Sequence, residues 1–165
     1  MQNKNKRIKD IISIIFIIIV LFVGYKIYKR YNFNEFTKAE STTGISKFER
    51  DSSTKISGYD SYKIRNTDYT DSMFFETVNV VPNTAYKVSC KIKTENVKAQ
   101  NLNKDAGAHI CIADSVEKSD NVTGTQNWTN IEFYFNSKNR TQVDVGFRLG
   151  GYEDNCIRDG MVFRF

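Results

Sequence analysis

Few side chains in this 165-residue chain have the type and spacing that chemistry requires. The single histidine, His109, stands two residues before Cys111. On a strand, side chains at i and i+2 point the same way, with Cβ atoms about 6–7 Å apart. That is the spacing of a thiol beside a base. A nucleophile also needs an orienting carboxylate and a motif that activates it, and neither accompanies the pair. The sequence has no G-x-S-x-G, no H-E-x-x-H and no phosphate loop. Glu49 with Asp51, and Glu153 with Asp154, lie in polar surroundings and read as solvated loop carboxylates. The expectation is a chain that is not an enzyme.

A second set of residues suits recognition. Tyr134, Arg148, Glu132 and His109 fall on the polar side of alternating segments, and Tyr152 falls in a loop. A sugar ring is held by a flat aromatic surface plus groups that hydrogen-bond hydroxyls. These five residues are therefore the candidate carbohydrate contacts, provided that their strands share one sheet. His109 alternates with Ile110 and Ile112, which places it on the sheet surface, away from the core. Trp128 reads as a packing residue. Cys90, Cys111 and Cys156 include no C-x-x-C pair. They read as buried free thiols, or as one disulfide plus one free thiol, and not as a zinc site.

The elements that must position these residues have a period of two. Tyr86, Val88, Cys90 and Ile92 share one face, and Lys87, Ser89, Lys91 and Lys93 the other. Ala108, Ile110 and Ile112 repeat the pattern. So do Ile131, Phe133 and Phe135 against Glu132 and Tyr134, and Val143, Val145, Phe147 and Leu149 against Asp144, Gly146 and Arg148. Met73–Val81 is strand-like and ends in the turn signal Val81-Pro82-Asn83-Thr84. Residues 94–105 and 115–127 read as loops, and 150–159 as a loop before a short strand at 161–165. About eight strands with no helix among them predict an all-β antiparallel sandwich or barrel over residues 44–165.

The N-terminal part is of another kind. Residues 1–10 are a basic flank, and from Ile11 to Val23 only Ser13 is not apolar. With Lys9 and Lys26 lifting their amines to the headgroups, residues 8–28 are long enough for a single transmembrane helix whose partner is membrane lipid. Residues 29–43 then form a polar stem. The expected placement is a single-pass membrane protein. The charges flanking the span are nearly balanced, so they do not set its orientation. The charge distribution agrees with this division. Residues 1–31 hold seven of the 24 Lys+Arg and one of the 19 Asp+Glu, so residues 32–165 carry 17 basic and 18 acidic side chains, net −1. The formal +5 therefore belongs to the N-terminal flanks, and no basic stripe remains for nucleic acid.

The order of the pieces resembles the galactose-binding-domain-like jelly rolls, and among them the carbohydrate-binding modules attached to xylanases and glucanases. The matching segments are Lys47-Phe-Glu, Gly58-Tyr-Asp-Ser-Tyr-Lys-Ile, Val78-x-Val-x-Pro-Asn-Thr-x-Tyr-x-Val-Ser-x-x-Ile-Lys, Gly124-Thr-x-x-Trp-Thr and Val143-x-Val-x-Phe-x-Leu-Gly. The resemblance implies a jelly-roll β-sandwich that binds glycan or cell-wall polysaccharide without catalysis. Together with the short N-terminal side, it also implies a cytoplasmic N-terminus and an extracellular β-domain. An alternative is a structural or protein-interaction domain on the same fold. Such modules usually finish with an aromatic followed by Asp-Asp or Asp-Asn and another short strand. Here the sequence stops at Phe163-Arg-Phe. Where such modules hold structural calcium, a Glu in the position of Glu49 contributes oxygens, so the resemblance makes Glu49 a candidate calcium ligand. One carboxylate alone falls well short of six to eight oxygens.

Overall fold

The computed structural model describes residues 11–24, 36–40, 42–56, 58–101, 105–151 and 156–162. The chain divides into two compact units, Met1–Glu35 and Phe36–Phe165. In the first, residues 11–24 form helix α1, with apolar side chains exposed on every side. At 1.5 Å per residue α1 is about 21 Å long, against about 30 Å of hydrocarbon in a bilayer. Among the described residues no helix is long and apolar enough to cross a membrane. The expected transmembrane helix over 8–28, its lipid partner and the single-pass placement are therefore not upheld. The shortfall is one of length. The expectation depended on residues 8–10 and 25–28, which lie outside the described residues.

The second unit is built from nine described strands: β1 (Thr37–Glu40), β2 (Ser46–Ile56), β3 (Tyr59–Thr70), β4 (Ser72–Asn79), β5 (Ala85–Ala99), β6 (Gly107–Ile112), β7 (Gly124–Asn136), β8 (Gln142–Gly150) and β9 (Cys156–Val162). One sheet has the order β1-β4-β8-β6 and the other β2-β3-β9-β5-β7. Every pairing is antiparallel. The predicted all-β sandwich of two antiparallel sheets is what forms.

Alternation sets which side chains fill the space between the sheets. Phe74 of β4, Phe147 of β8 and Ile110 of β6 stand opposite one another in register, and all are buried. Ile64, Ile92, Ile131 and Phe133 line the facing sheet. Phe36 packs its ring between the sheets, 5.0 Å from Tyr62 and 5.2 Å from Phe74. The sandwich thus starts before residue 44: β1, read as polar stem, pairs with β4. β5 also continues past residue 94, through two register shifts against β7, because Thr94 and Val97 are buried. The stretch read as a loop over 115–127 runs beside β6. Ile112 N–H donates to Glu117 O at 2.9 Å, Ser119 N–H to Ile110 O at 2.9 Å and Ala108 N–H to Val122 O at 3.0 Å. The turn at Val81-Pro82-Asn83-Thr84 forms as expected, with Asn83 at φ 54 and the Ser137 hydroxyl donating to Val81 O at 2.7 Å.

One buried polar side chain joins the two sheets. Asn66 of β3 shares its amide hydrogens among Cys156 O at 2.9 Å, Thr70 O at 3.1 Å and Leu149 O at 3.4 Å. Its Oδ1 accepts from the hydroxyls of Ser46 and Ser72, each at 2.9 Å. Leu149 and Ser72 belong to the four-stranded sheet; the others belong to the five-stranded one. Removing a hub of this kind leaves several buried groups without partners at once. Asn66→Ala is expected to cost about 3 kcal/mol or more. Asn66→Asp should cost more still, because it aims a carboxylate oxygen at carbonyl oxygens. Urea midpoints measure both. An Asn66→Ala chain as stable as the native one would show that the amide does not hold the sheets together.

Candidate functional site

The five candidate carbohydrate contacts do not come together on one sheet. Tyr134 and Glu132 lie on the outer face of β7, at the edge of the five-stranded sheet. Alternation puts them there, because Ile131, Phe133 and Phe135 take the inward positions. Tyr134 stands opposite Lys87 of β5, and Glu132 opposite Ser89. The Lys87 amine is 2.7 Å from Glu132 Oε2, and the Tyr134 hydroxyl donates to Glu132 Oε1 at 3.4 Å. The hydrogen bond from Lys87 holds the Glu132 carboxyl below its usual range, and the Glu132 partner raises the Lys87 amine. Both are charged across the neutral range. Tyr134 is 68% exposed, and among the described side chains of the sandwich no other aromatic is exposed. Trp128 is half-buried at the start of the same strand.

Arg148 and His109 lie on the four-stranded sheet and are buried. Arg148 makes a fork against Asp71, with Nε donating to Oδ1 at 2.7 Å and Nη2 to Oδ2 at 2.5 Å. Asp71 sits in the gap between β3 and β4. Its close approach requires Gly150, whose φ of 147 and missing Cβ leave the space that Asp71 occupies. His109 stands opposite Arg148 in register. Its alternation was read correctly, since Ala108, Ile110 and Ile112 take the core side, but its expected surface position was not. β6 is buried on both faces. Residues 117–122 run along the edge of β6 opposite β8. There Lys118 reaches Asp105 at 3.1 Å and Asn121 Oδ1 at 3.3 Å, and the Asn121 amide also bonds Asp105.

Neither imidazole nitrogen of His109 has a hydrogen bond of ordinary geometry among the described residues. Burial, then Lys118 and Arg148, push its pKa down to about 3, while the Gly107 backbone and Asp105 pull weakly the other way. The ring is therefore neutral at pH 7. Cys111, on the same face, has its thiol 3.8 Å from Met73 Sδ. Met73 lies over Gly146, where a Cβ would meet its sulfur at 2.7 Å. Burial raises Cys111 to about 11 and Cys90 to about 12, so neither is a thiolate near neutrality. Cys90, Cys111 and Cys156 are all buried, and none is in a disulfide.

Sequence reasoning missed a groove of about 460 Å³ on the four-stranded sheet, lined by Thr77, Ile112, Asp114, Arg140, Gln142 and Asp144 among others. Its donors are already engaged. Thr77 donates to Asp144 at 2.5 Å, Gln142 to Asn79 at 3.0 Å, and Arg140 to Glu117 at 3.1 Å. No aromatic lines it, so it has no stacking surface. Its residues come from β4, β6, β8 and two turns, a grouping that only the register reveals. Lys87 was missed for the same reason. Glu49 of β2 is held by Lys47 at 2.8 Å and stands opposite Lys63. Among the described residues no group of three or more His, Cys, Asp or Glu is placed to hold a metal ion. Tyr152 lies outside the described residues.

No protein-family model and no curated protein matches the sequence. Among solved structures, the chain is similar to the enzymatically active domain of tailspike protein 4 of bacteriophage CBA120. Identity is 11%, the TM-score is 0.54, and the match covers 79% of this chain and 19% of that one. A looser match is the CBM22-1–GH10 modules of the N-terminal endo-1,4-β-D-xylanase 10B of Clostridium thermocellum complexed with xylohexaose. There the identity is 12% and the TM-score 0.45, with 76% of this chain and 24% of that one covered. The chain thus spans a quarter or less of either protein's length. The phage likeness shows the fold alone.

The buried imidazole makes a measurable prediction. His109 titrates near 6.5 in the unfolded chain and at about 3 in the folded one, so between those values only the unfolded chain takes the proton. Its contribution is fully present above about pH 6.5 and is lost progressively toward pH 3. His109 is the sole histidine, so the loss between pH 6.5 and 5, above the carboxylate range, belongs to it. Stability measured by urea titration should fall across that interval in the native chain and stay flat in His109→Gln. An equal slope in both chains would contradict the assignment.

Proposed function

We propose that this β-sandwich is a non-catalytic binding module for polysaccharide, with Tyr134 as its contact platform. The observation that carries the reading is the isolated exposure of Tyr134, framed by a Lys87–Glu132 ion pair on a rigid sheet face. A pyranose presents C–H groups on one face and hydroxyls around its rim. The exposed phenol ring supplies the flat apolar surface, Lys87 donates to hydroxyl oxygens, and Glu132 accepts from hydroxyl hydrogens. The jelly-roll resemblance over residues 44–165 supports the same class of ligand. Fold likeness alone does not carry function, and the reading stands on the patch.

The non-catalytic part rests on the state of the reactive groups. The imidazole is buried and neutral, and the Cys90 and Cys111 thiols are buried and protonated. Arg148 is held in its fork with Asp71. These groups serve the interior of the sheet.

Binding of the native chain to insoluble xylan, glucan and chitin in pull-downs, and to soluble oligosaccharides by calorimetry, tests the reading. Tyr134→Ala is expected to weaken binding about ten- to thirtyfold, and Tyr134→Phe to retain most of it, since the ring face is kept. An unchanged affinity in Tyr134→Ala, or no binding by the native chain to any glycan, would overturn it.

A further inference from the structure

Among the described residues β7 is the outer edge of the five-stranded sheet and pairs there with β5 alone. The ladder's parity follows from one bond. Ser137 N–H donates to Thr84 O at 2.9 Å, in the same register that pairs Ala85 with Asn136. Odd-numbered residues of β7 therefore turn their main-chain groups toward β5, and Asn130, Glu132 and Tyr134 turn theirs outward. Natural edges are blunted by lysine, proline or a bulge. Between Thr129 and Asn136 this strand has none of the three. Its register against β5 is unbroken from Ala85↔Asn136 to Ile92↔Thr129, and its one charge, Glu132, is neutralised by Lys87.

We infer that β7 is a self-pairing edge, at which two copies of this chain join antiparallel about a two-fold axis at Phe133. The side chains match in that register. Glu132 faces Tyr134 of the second copy, Asn130 faces Asn136, and Ile131 faces Phe135. Polar side chains thus meet polar ones on the outer face, and apolar meet apolar within. A slip of one residue throws core side chains to the solvent face, and an axis at Glu132 sets two carboxylates against each other. The product is one continuous ten-stranded sheet. A single strand pair is a small interface, so the dimer forms in a concentration-dependent way. It also sets two Tyr134 platforms on one surface, although the pairing itself does not depend on what Tyr134 binds.

Register-specific crosslinking tests the inference on the full chain. Asn130→Cys and Asn136→Cys chains, one of them isotope-labelled, are mixed and oxidised. A disulfide joining labelled to unlabelled chain is expected. Neither variant should crosslink to itself, because like positions lie about six residues, or roughly 20 Å, apart along the paired strands. Crosslinking that is absent from the mixture, or equal in the unmixed variants, overturns the register. Asn130→Pro supplies an independent check. The Asn130 N–H points away from β5, so proline removes no bond of the existing ladder. Sedimentation equilibrium should show self-association weakened at least about tenfold with the thermal midpoint kept. Association as strong as that of the native chain would overturn the edge itself.

Discussion

Two sheets packed face to face share no main-chain hydrogen bonds, so something other than the ladder must fix their relative position. In this sandwich the Asn66 carboxamide does so. It sits where β3 and β9 lose register, between the Asn66↔Arg158 and Thr70↔Cys156 pairs. At that irregularity the carbonyls of Thr70 and Cys156 turn to the side-chain amide. The same group reaches Leu149 and Ser72 on the other sheet. An amide has donors and an acceptor in one plane and carries no charge, so it can satisfy carbonyls on one side and hydroxyls on the other without a desolvation penalty for an ion. The aromatic cluster of Phe36, Tyr62 and Phe74 adds apolar burial between the sheets, but rings slide more readily than hydrogen bonds do.

That fixed geometry divides the polar side chains into two populations. On the four-stranded sheet, Arg148 is buried and neutralised by Asp71, and His109 stays neutral opposite it. On the edge of the five-stranded sheet, charge remains at the surface, around an exposed ring. The first arrangement stiffens a sheet, and the second leaves groups free to exchange water for a ligand. The contrast directs attention to Tyr134 rather than to the residues with the most shifted titration.

Much of the sandwich was legible in the sequence, because inward and outward positions follow from alternation within a strand. The faces of β5, β7 and β8 came out as read. What alternation does not contain is which strand lies beside which. Tyr134 and Arg148 look equivalent on paper, both outward in alternating runs, yet β7 and β8 enter different sheets. His109 shows the companion failure. Its face was read correctly, but alternation does not say whether the outward face of a strand is covered, and β6 is buried on both. The continuation of β5 through Thr94 and Val97 was hidden by register shifts that break the period. The apolar run near the N-terminus was easy to see, but among the described residues its helix is not long and apolar enough to cross a membrane.

The place of β9 has a consequence in time. This strand comes last among those described, yet it lies between β3 and β5 in the middle of its sheet. Until it emerges from the ribosome, the β2–β3 hairpin and the β5–β7 pair have no common neighbour to join them. Each presents an unpaired edge until β9 is made. Closure then requires threading a late segment between two waiting halves, a long-range step that is slow compared with adding a hairpin. The five-stranded sheet is therefore completed only once β9 is in place, and its vulnerability to misassociation is greatest just before that step.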